Sequence, residues 1–159
     1  ILGAGGAAKS IVTQAVLDGA KKVSIYVRPQ SLVKAKENFR TLLDQTDCYL
    51  EFHDLTDADH FQKELRQTDL LVNATSVGMD GESLPISIDT RFPKELLVAD
   101  IIYQPFETPF LALARKQEIE AVNGLGMLLY QAAGAFKLWT GENMPTGAIW
   151  QVLENIYNS

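Results

Sequence analysis

Short apolar runs rich in β-branched residues alternate along the chain with stretches whose apolar positions recur every three or four residues. The first kind suits strands buried on both faces and the second suits helices lying on them, so the rhythm implies βαβ units and a mostly parallel sheet. Strands are predicted at KVSIYV (22–27), CYLEFH (48–53), DLLVNA (69–74), LLVADII (96–102) and IEAVN (119–123). The stub Ile1-Leu2 before the first glycine reads as the end of one more strand. Together these make six strands in the order of a Rossmann-type, doubly wound α/β sheet with helices on both faces. Helical periodicity falls at AAKSIVTQAVLDG, where Gly19 makes a stop, and at SLVKAKENFRTLLDQ, DADHFQKELRQ and TPFLALARKQE. The long run GMLLYQAAGAFKLWTG and a last helix PTGAIWQVLENIY, with Pro145 and Thr146 near its start, complete the set. DGESLPISIDTRFPKE is the least regular stretch and is expected to be a surface loop. With no repeat, low-complexity segment or linker, residues 1–159 read as one domain.

Composition narrows the functions open to such a fold. A chain of 159 residues can bury roughly two thirds of its unfolded surface, enough for a proper core. Its 14 basic and 20 acidic residues, net −6, argue against nucleic acid as a partner. Charges interrupt every apolar segment before the roughly 20 residues a bilayer span needs, so no membrane partner is expected. The single cysteine, Cys48, cannot form an internal disulfide, and a cytoplasmic location is the expectation. His53 and His60 fall into no metal-ligand spacing with Cys48, and Ser10 and Ser76 lack a nucleophile-elbow context. Neither a metal nor covalent catalysis is expected.

The chemistry begins at the glycines. Gly3, Gly5 and Ala8 fit G-x-G-x-x-[G/A], with Gly6 as an extra small residue. Such a motif needs a tight turn at the first position, no side chain where a pyrophosphate approaches, and a small residue for close helix packing. The helix that follows would aim its free N–H groups at the phosphates. The predicted cofactor cradle is therefore Gly3, Ala4, Gly5, Gly6 and Ala7. Dinucleotide sites specific for NAD usually carry an acid about 20 residues further on, at the end of the second strand. Here no acidic residue lies between Asp18 and Glu37, and Arg28 stands just past the strand with Lys34 beyond it. A planar cation at that point pairs with a 2′-phosphate, which favours NADP(H). Two residues cannot form the buried strand that anchors a phosphate turn, so further chain before Ile1 is expected.

Three further stretches are more specific than the turn: NATSVGM (73–79), DIIYQPFETPFL (100–111) and NGLGMLLYQAAGAFKLWTG (123–141). With GAGGAAK in front, the chain resembles the cofactor-binding half of the shikimate dehydrogenase family over nearly its whole length. That resemblance implies reversible, NADPH-dependent reduction of 3-dehydroshikimate to shikimate, on the route to chorismate and the aromatic amino acids. It also implies an N-terminal substrate domain of the same chain bearing a catalytic Lys and Asp pair, with the C-terminal helices packing toward it. No catalytic residue is assigned within residues 1–159, and a homodimer is left open.

Carried over by position, the resemblance puts Asn73 and Thr75 in the loop facing the cofactor. Gly124 becomes a backbone contact to the nicotinamide carboxamide, and Met127 a neighbour of the nicotinamide ring. Tyr103 would reach the substrate carboxylate and Gln131 its ring hydroxyls. A phenol and an amide suit a polyhydroxylated acid because each makes directed hydrogen bonds. Two departures stand out: Val27-Arg28-Pro29 replaces the Asn-Arg-Thr of many relatives, and Lys34 lies further from Arg28 than the family pattern places its basic residue. Two alternatives stay open on the sequence alone. One is a quinate/shikimate dehydrogenase using NAD; the other is a non-catalytic nucleotide-binding module, since no general acid or base is evident here.

Overall fold

The computed structural model describes residues 1–157. The parallel sheet forms around the apolar runs. β1 (Lys22–Val27) pairs with β2 (Tyr49–Asp54), with Lys22 opposite Tyr49 and Val27 opposite Asp54. β3 (Leu70–Asn73) pairs with β4 (Leu97–Asp100), and β4 with the short β5 (Ala121–Val122). The six-stranded sheet therefore needs correction: the described residues hold five strands, in a two-stranded and a three-stranded sheet. Ile1 and Leu2 are too few for a ladder of their own, and what they make is a bridge. Leu2 is paired in parallel with Tyr26 of β1 and Asn73 of β3. Its N–H donates to the Val72 carbonyl at 2.8 Å and its carbonyl accepts from Ala74 at 2.9 Å. On the other side Tyr26 N–H donates to the Ile1 carbonyl at 2.9 Å, and Gly3 N–H donates to Tyr26 at 2.8 Å.

Strand alternation sends neighbouring side chains to opposite faces, and each face collects its own core. Leu2, Tyr26, Leu71 and Val98 meet Phe61 and Leu65 of α4 (Ala58–Leu65) and Phe110, Leu111 and Ala114 of α5 (Pro109–Lys116). Ile25, Val27 and Leu50, with Ile1 beside them, meet Val12 of α1 (Gly6–Leu17) and Ala35 of α2 (Leu32–Asn38). α6 (Leu125–Thr140) and α7 (Thr146–Tyr157) follow β5. Among the described residues no helix is long and apolar enough to cross a membrane.

Two local expectations change in the structure. The helix predicted over SLVKAKENFRTLLDQ is a 3-10 turn (Pro29–Ser31), then α2, then the single turn α3 (Arg40–Leu43). The break falls at Phe39, fully buried, where the helical repeat yields so that the ring can lie 5.8 Å from that of Phe52. The stretch 80–95 is irregular but not merely a surface loop: Pro85, Ile86, Thr90 and Phe92 are buried. Two glutamines make that burial possible. Gln62 donates to the Arg91 carbonyl at 2.7 Å and accepts the Arg91 N–H at 2.8 Å. Gln117 donates to the Thr90 carbonyl at 3.0 Å and accepts the Phe92 N–H at 3.1 Å, so the backbone polar groups find partners.

Lys22 ties three elements by pairing with Glu51 of β2 at 2.7 Å and Glu64 of α4 at 2.6 Å. The Lys22 hydrogen bond holds the Glu64 carboxyl below its ordinary range. A depressed carboxyl contributes stability above its unfolded pKa, and that contribution is lost as pH falls through the folded value. Glu64→Gln is therefore expected to lower unfolding free energy at pH 7 by no more than about 1 kcal/mol, since the pair is partly solvated. The difference from wild type should shrink below about pH 4. Urea titrations at pH 7 and pH 3 check this; a gap that stayed constant would assign the loss to packing.

Candidate functional site

The glycine turn leaves the sheet where Leu2 bridges its two halves, which places it at the carboxyl ends of the strands. Gly3 has a φ of 97°. A Cβ there would lie 2.9 Å from Thr75 Cγ2 and 3.0 Å from the Ala74 carbonyl, so both conformation and space demand glycine. Gly5 is different. It is exposed and extended, and a Cβ there or on Gly6 would meet nothing within 4 Å. Their bareness serves no internal contact; it leaves open space above the start of α1. That helix has neither a side-chain cap bond nor an acidic residue in its first turn, so its N–H groups and positive dipole end await an acceptor. Ala8 is fully buried, which brings α1 close onto the sheet. Asn38 Nδ2 donates to the Ala4 carbonyl at 3.2 Å, tying the end of α2 to the turn.

Arg28 follows β1 directly and is exposed, its carbonyl accepting the Ser31 N–H at 2.8 Å. Lys34 is exposed in α2. Neither makes an ion pair among the described residues, so both cations are free for an anion from outside.

Beneath the turn lies a polar hub that sequence reasoning finds only in part. Asn73 is fully buried. Its Nδ2 donates to Asp100 Oδ1 and to the Val77 carbonyl, each at 3.1 Å. Its Oδ1 accepts the Thr75 hydroxyl at 2.7 Å and the Thr75 N–H at 3.1 Å. Asp100, 2% exposed, also accepts the Ile102 N–H on Oδ1 at 3.1 Å and the Thr108 hydroxyl on Oδ2 at 2.7 Å. Burial pushes the Asp100 carboxyl above its usual range, against the pull of its hydrogen bonds to Ile102, Thr108 and Asn73. The signals in the sequence are a polar residue closing the apolar run LLVAD and a Thr-Pro helix start; neither by itself marks a site.

The neighbouring segments are packed to backbone contact. A Cβ on Gly124 would lie 1.9 Å from the Ile101 carbonyl oxygen. Gly124 N–H donates to Ile102 at 2.9 Å, and its carbonyl accepts from Leu128 at 3.0 Å. Asn123 spans the same region, donating to the Phe106 carbonyl at 3.0 Å and accepting the Leu125 N–H at 3.2 Å. Beside these segments a mostly apolar cavity of about 560 Å³ is lined by Val72, Ala99, Val122, Met127 and Trp150, among others. The glycine turn does not line it, and the surface above the turn is open.

Sequence comparison agrees with this geometry. The family described as the Shikimate 5'-dehydrogenase C-terminal domain matches residues 124–154. A shikimate dehydrogenase (NADP(+)) of Streptococcus thermophilus is 99% identical over 159 residues, which is 100% of this chain and 56% of its own length. Over its whole length the chain is similar to part of the shikimate dehydrogenases, and its residues 124–154 to their C-terminal domain. It spans about half the length of the curated relatives it matches. Shikimate 5-dehydrogenase from Listeria monocytogenes, solved in complex with shikimate and NAD, aligns at TM-score 0.86 and 39% identity, over 96% of this chain and 54% of its own. The enzyme from Thermus thermophilus, solved in complex with NADP(H) and shikimate, aligns at 0.76 and 31%, over 97% and 53%.

In the structure the predicted residues separate into groups. Gly3 and Thr75 touch, and Gly5, Gly6 and Ala7 open α1 beside them. Asn73 lies under the loop rather than on it, its amide committed on every side. Gly124 is required by its contact with Ile101, and its N–H is already used. Met127 and Gln131 stand one turn apart on the same side of α6. Gln131 is exposed and donates to the Leu128 carbonyl of its own helix at 3.2 Å, so no buried partner holds it. Tyr103 is exposed past β4, its ring 6.2 Å from that of Tyr157. The steric contrast between the two glycines is measurable. Gly124→Ala should destabilise the fold by about 3 kcal/mol or more, because backbone cannot yield as a side chain does. Gly5→Ala should leave the midpoint of thermal unfolding nearly unchanged.

Proposed function

We propose that this chain is the cofactor domain of an NADP-dependent shikimate dehydrogenase, which reversibly reduces 3-dehydroshikimate to shikimate. The observation that carries the reading is the open, uncapped start of α1 at Gly5 and Gly6, with the unpaired Arg28 beyond the adjoining strand. The donor set fits a dinucleotide bearing a further phosphate: free N–H groups for the pyrophosphate, a planar cation for the 2′-phosphate, and a thioether for an aromatic ring. When bound, the nicotinamide supplies or accepts the hydride. The protein's own part is placement. Thr75, rather than the buried Asn73, would present the loop to the cofactor. Gly124 could reach a carboxamide only through the second lone pair of its carbonyl. Tyr103 would hold the substrate carboxylate and Gln131, free to turn outward, the ring hydroxyls.

The acid and base would come from the remainder of the protein, which would also cover α6 and α7. Support for that lies in Leu138 and Trp139, 86% and 84% exposed on α6. Ile1-Leu2 would then be the end of a first strand completing a six-stranded sheet. Names of relatives support NADP, although the Listeria protein was solved with NAD.

The direct test offers the full-length protein shikimate and quinate with NADP+ and NAD+. Fastest turnover with shikimate and NADP+ is expected; preference for quinate with NAD+ would favour the quinate dehydrogenase reading, and binding without turnover a nucleotide-binding module. Arg28→Ala should weaken NADPH binding by about 1.5 to 3 kcal/mol and leave NADH binding nearly untouched. Equal losses by calorimetry would remove Arg28 from the 2′-phosphate. Gly5→Val should abolish binding of both cofactors without unfolding the domain, since its side chain would fill the ligand's space alone.

A further inference from the structure

The loops that follow β3 and β4 carry opposite sides of the proposed cleft, Thr75 toward the cofactor and Tyr103 toward the substrate. One side chain touches the anchors of both. Asp100 Oδ1 accepts Asn73 Nδ2, and Asn73 in turn holds the hydroxyl and N–H of Thr75. The same oxygen accepts the N–H of Ile102, the residue before Tyr103, and Oδ2 accepts the hydroxyl of Thr108, where the Tyr103 loop enters α5. No link in this chain is longer than 3.1 Å.

Resting on the functional reading above, we propose that Asp100 is a positioning residue: its buried carboxylate locks the cofactor-side and substrate-side loops into one fixed relation. A carboxylate is the group that can accept from Asn73, Ile102 and Thr108 together. An amide would present an NH2 to Thr108, whose hydroxyl oxygen already accepts the Leu111 N–H at 3.3 Å, and would leave the hydroxyl proton without its acceptor. No ion pair compensates the charge among the described residues. A buried, unpaired charge is costly, and an apolar or neutral residue would avoid that cost but lose the convergent bonds. Placement matters because hydride transfer is sensitive to distance, with a misplacement of about 1 Å worth on the order of 100-fold in rate.

The test uses the full-length protein and separates the two arms. Asp100→Asn should lower kcat/KM for shikimate by about 10- to 100-fold and raise KM for both shikimate and NADP+. Thr108→Val cuts the Oδ2 arm together with the Leu111 cap of α5 and leaves the Asn73 arm intact, so it should raise KM for shikimate while leaving that for NADP+ in place. Thr108→Ser, which keeps the hydroxyl, should restore wild-type values. Amide exchange supplies a readout besides activity: faster exchange at 74–77 and 101–103 in Asp100→Asn, and at 101–111 but not 74–77 in Thr108→Val. Variants that only lower the melting temperature while folded enzyme keeps both KM values, or a serine that fails to restore, overturn the proposal. Unchanged exchange in an active enzyme does so too. A wild-type enzyme inert toward shikimate overturns the functional reading itself, and with it any role of Asp100 in that reaction.

Discussion

Leu2 holds together a sheet that would otherwise be two. Its peptide groups bond β3 on one side, and those of Ile1 and Gly3 bond Tyr26 of β1 on the other. The side chain is fully buried among Tyr26, Leu71 and Val98, so the bridge is shielded from water on the core face. Because the residue after this bridge is Gly3, the position of the turn is set by the same hydrogen bonds that join the sheet. A turn seated elsewhere would not lie against Thr75, and α1 would not begin over the gap between β1 and β3. Site geometry and sheet continuity thus share one short segment, and strain in either is felt by both.

How much of this is readable from residue order depends on the range of the forces involved. The strands and most helices are legible because period and β-branching are local signals, visible within one segment. Leu2 is legible as a strand end but not as a lone bridge, since ladder length depends on partners distant in sequence. Phe39 interrupts a helix whose own periodicity runs through it: its ring is buried against Phe52, while its N–H still reaches Ala35 and its carbonyl still accepts the Leu43 N–H. The segment 80–95 looks polar enough for the surface; its burial relies on Gln62 and Gln117, which nothing nearby announces.

The site divides in the same way. Glycines at Gly3 and Gly5 are visible because the motif spacing itself encodes the need for bare backbone. Their reasons differ, however: Gly3 answers to Thr75 and its own φ, Gly5 to empty space. Gly124 has a structural reason that its motif does not announce, for its contact with Ile101 alone forbids a side chain. Asp100 and Thr108 are not legible because a hub of hydrogen bonds is a property of three loop ends brought together, and each residue alone looks like an ordinary strand end or helix cap.

Electrostatics follows a parallel logic of scale. The chain is net acidic, with 20 acidic residues against 14 basic, yet the surface around the glycine turn offers free N–H groups and the cations Arg28 and Lys34, neither of them in an ion pair among the described residues. Elsewhere several cations are engaged: Lys22 by Glu51 and Glu64, Arg115 by Glu107. Screening confines each charge's reach to about 10 Å, so an anion near the turn feels this local set far more than the distant acids. A net negative protein can therefore still select a polyphosphate, and the acidic remainder repels the extended polyanions that would compete for the same N–H groups.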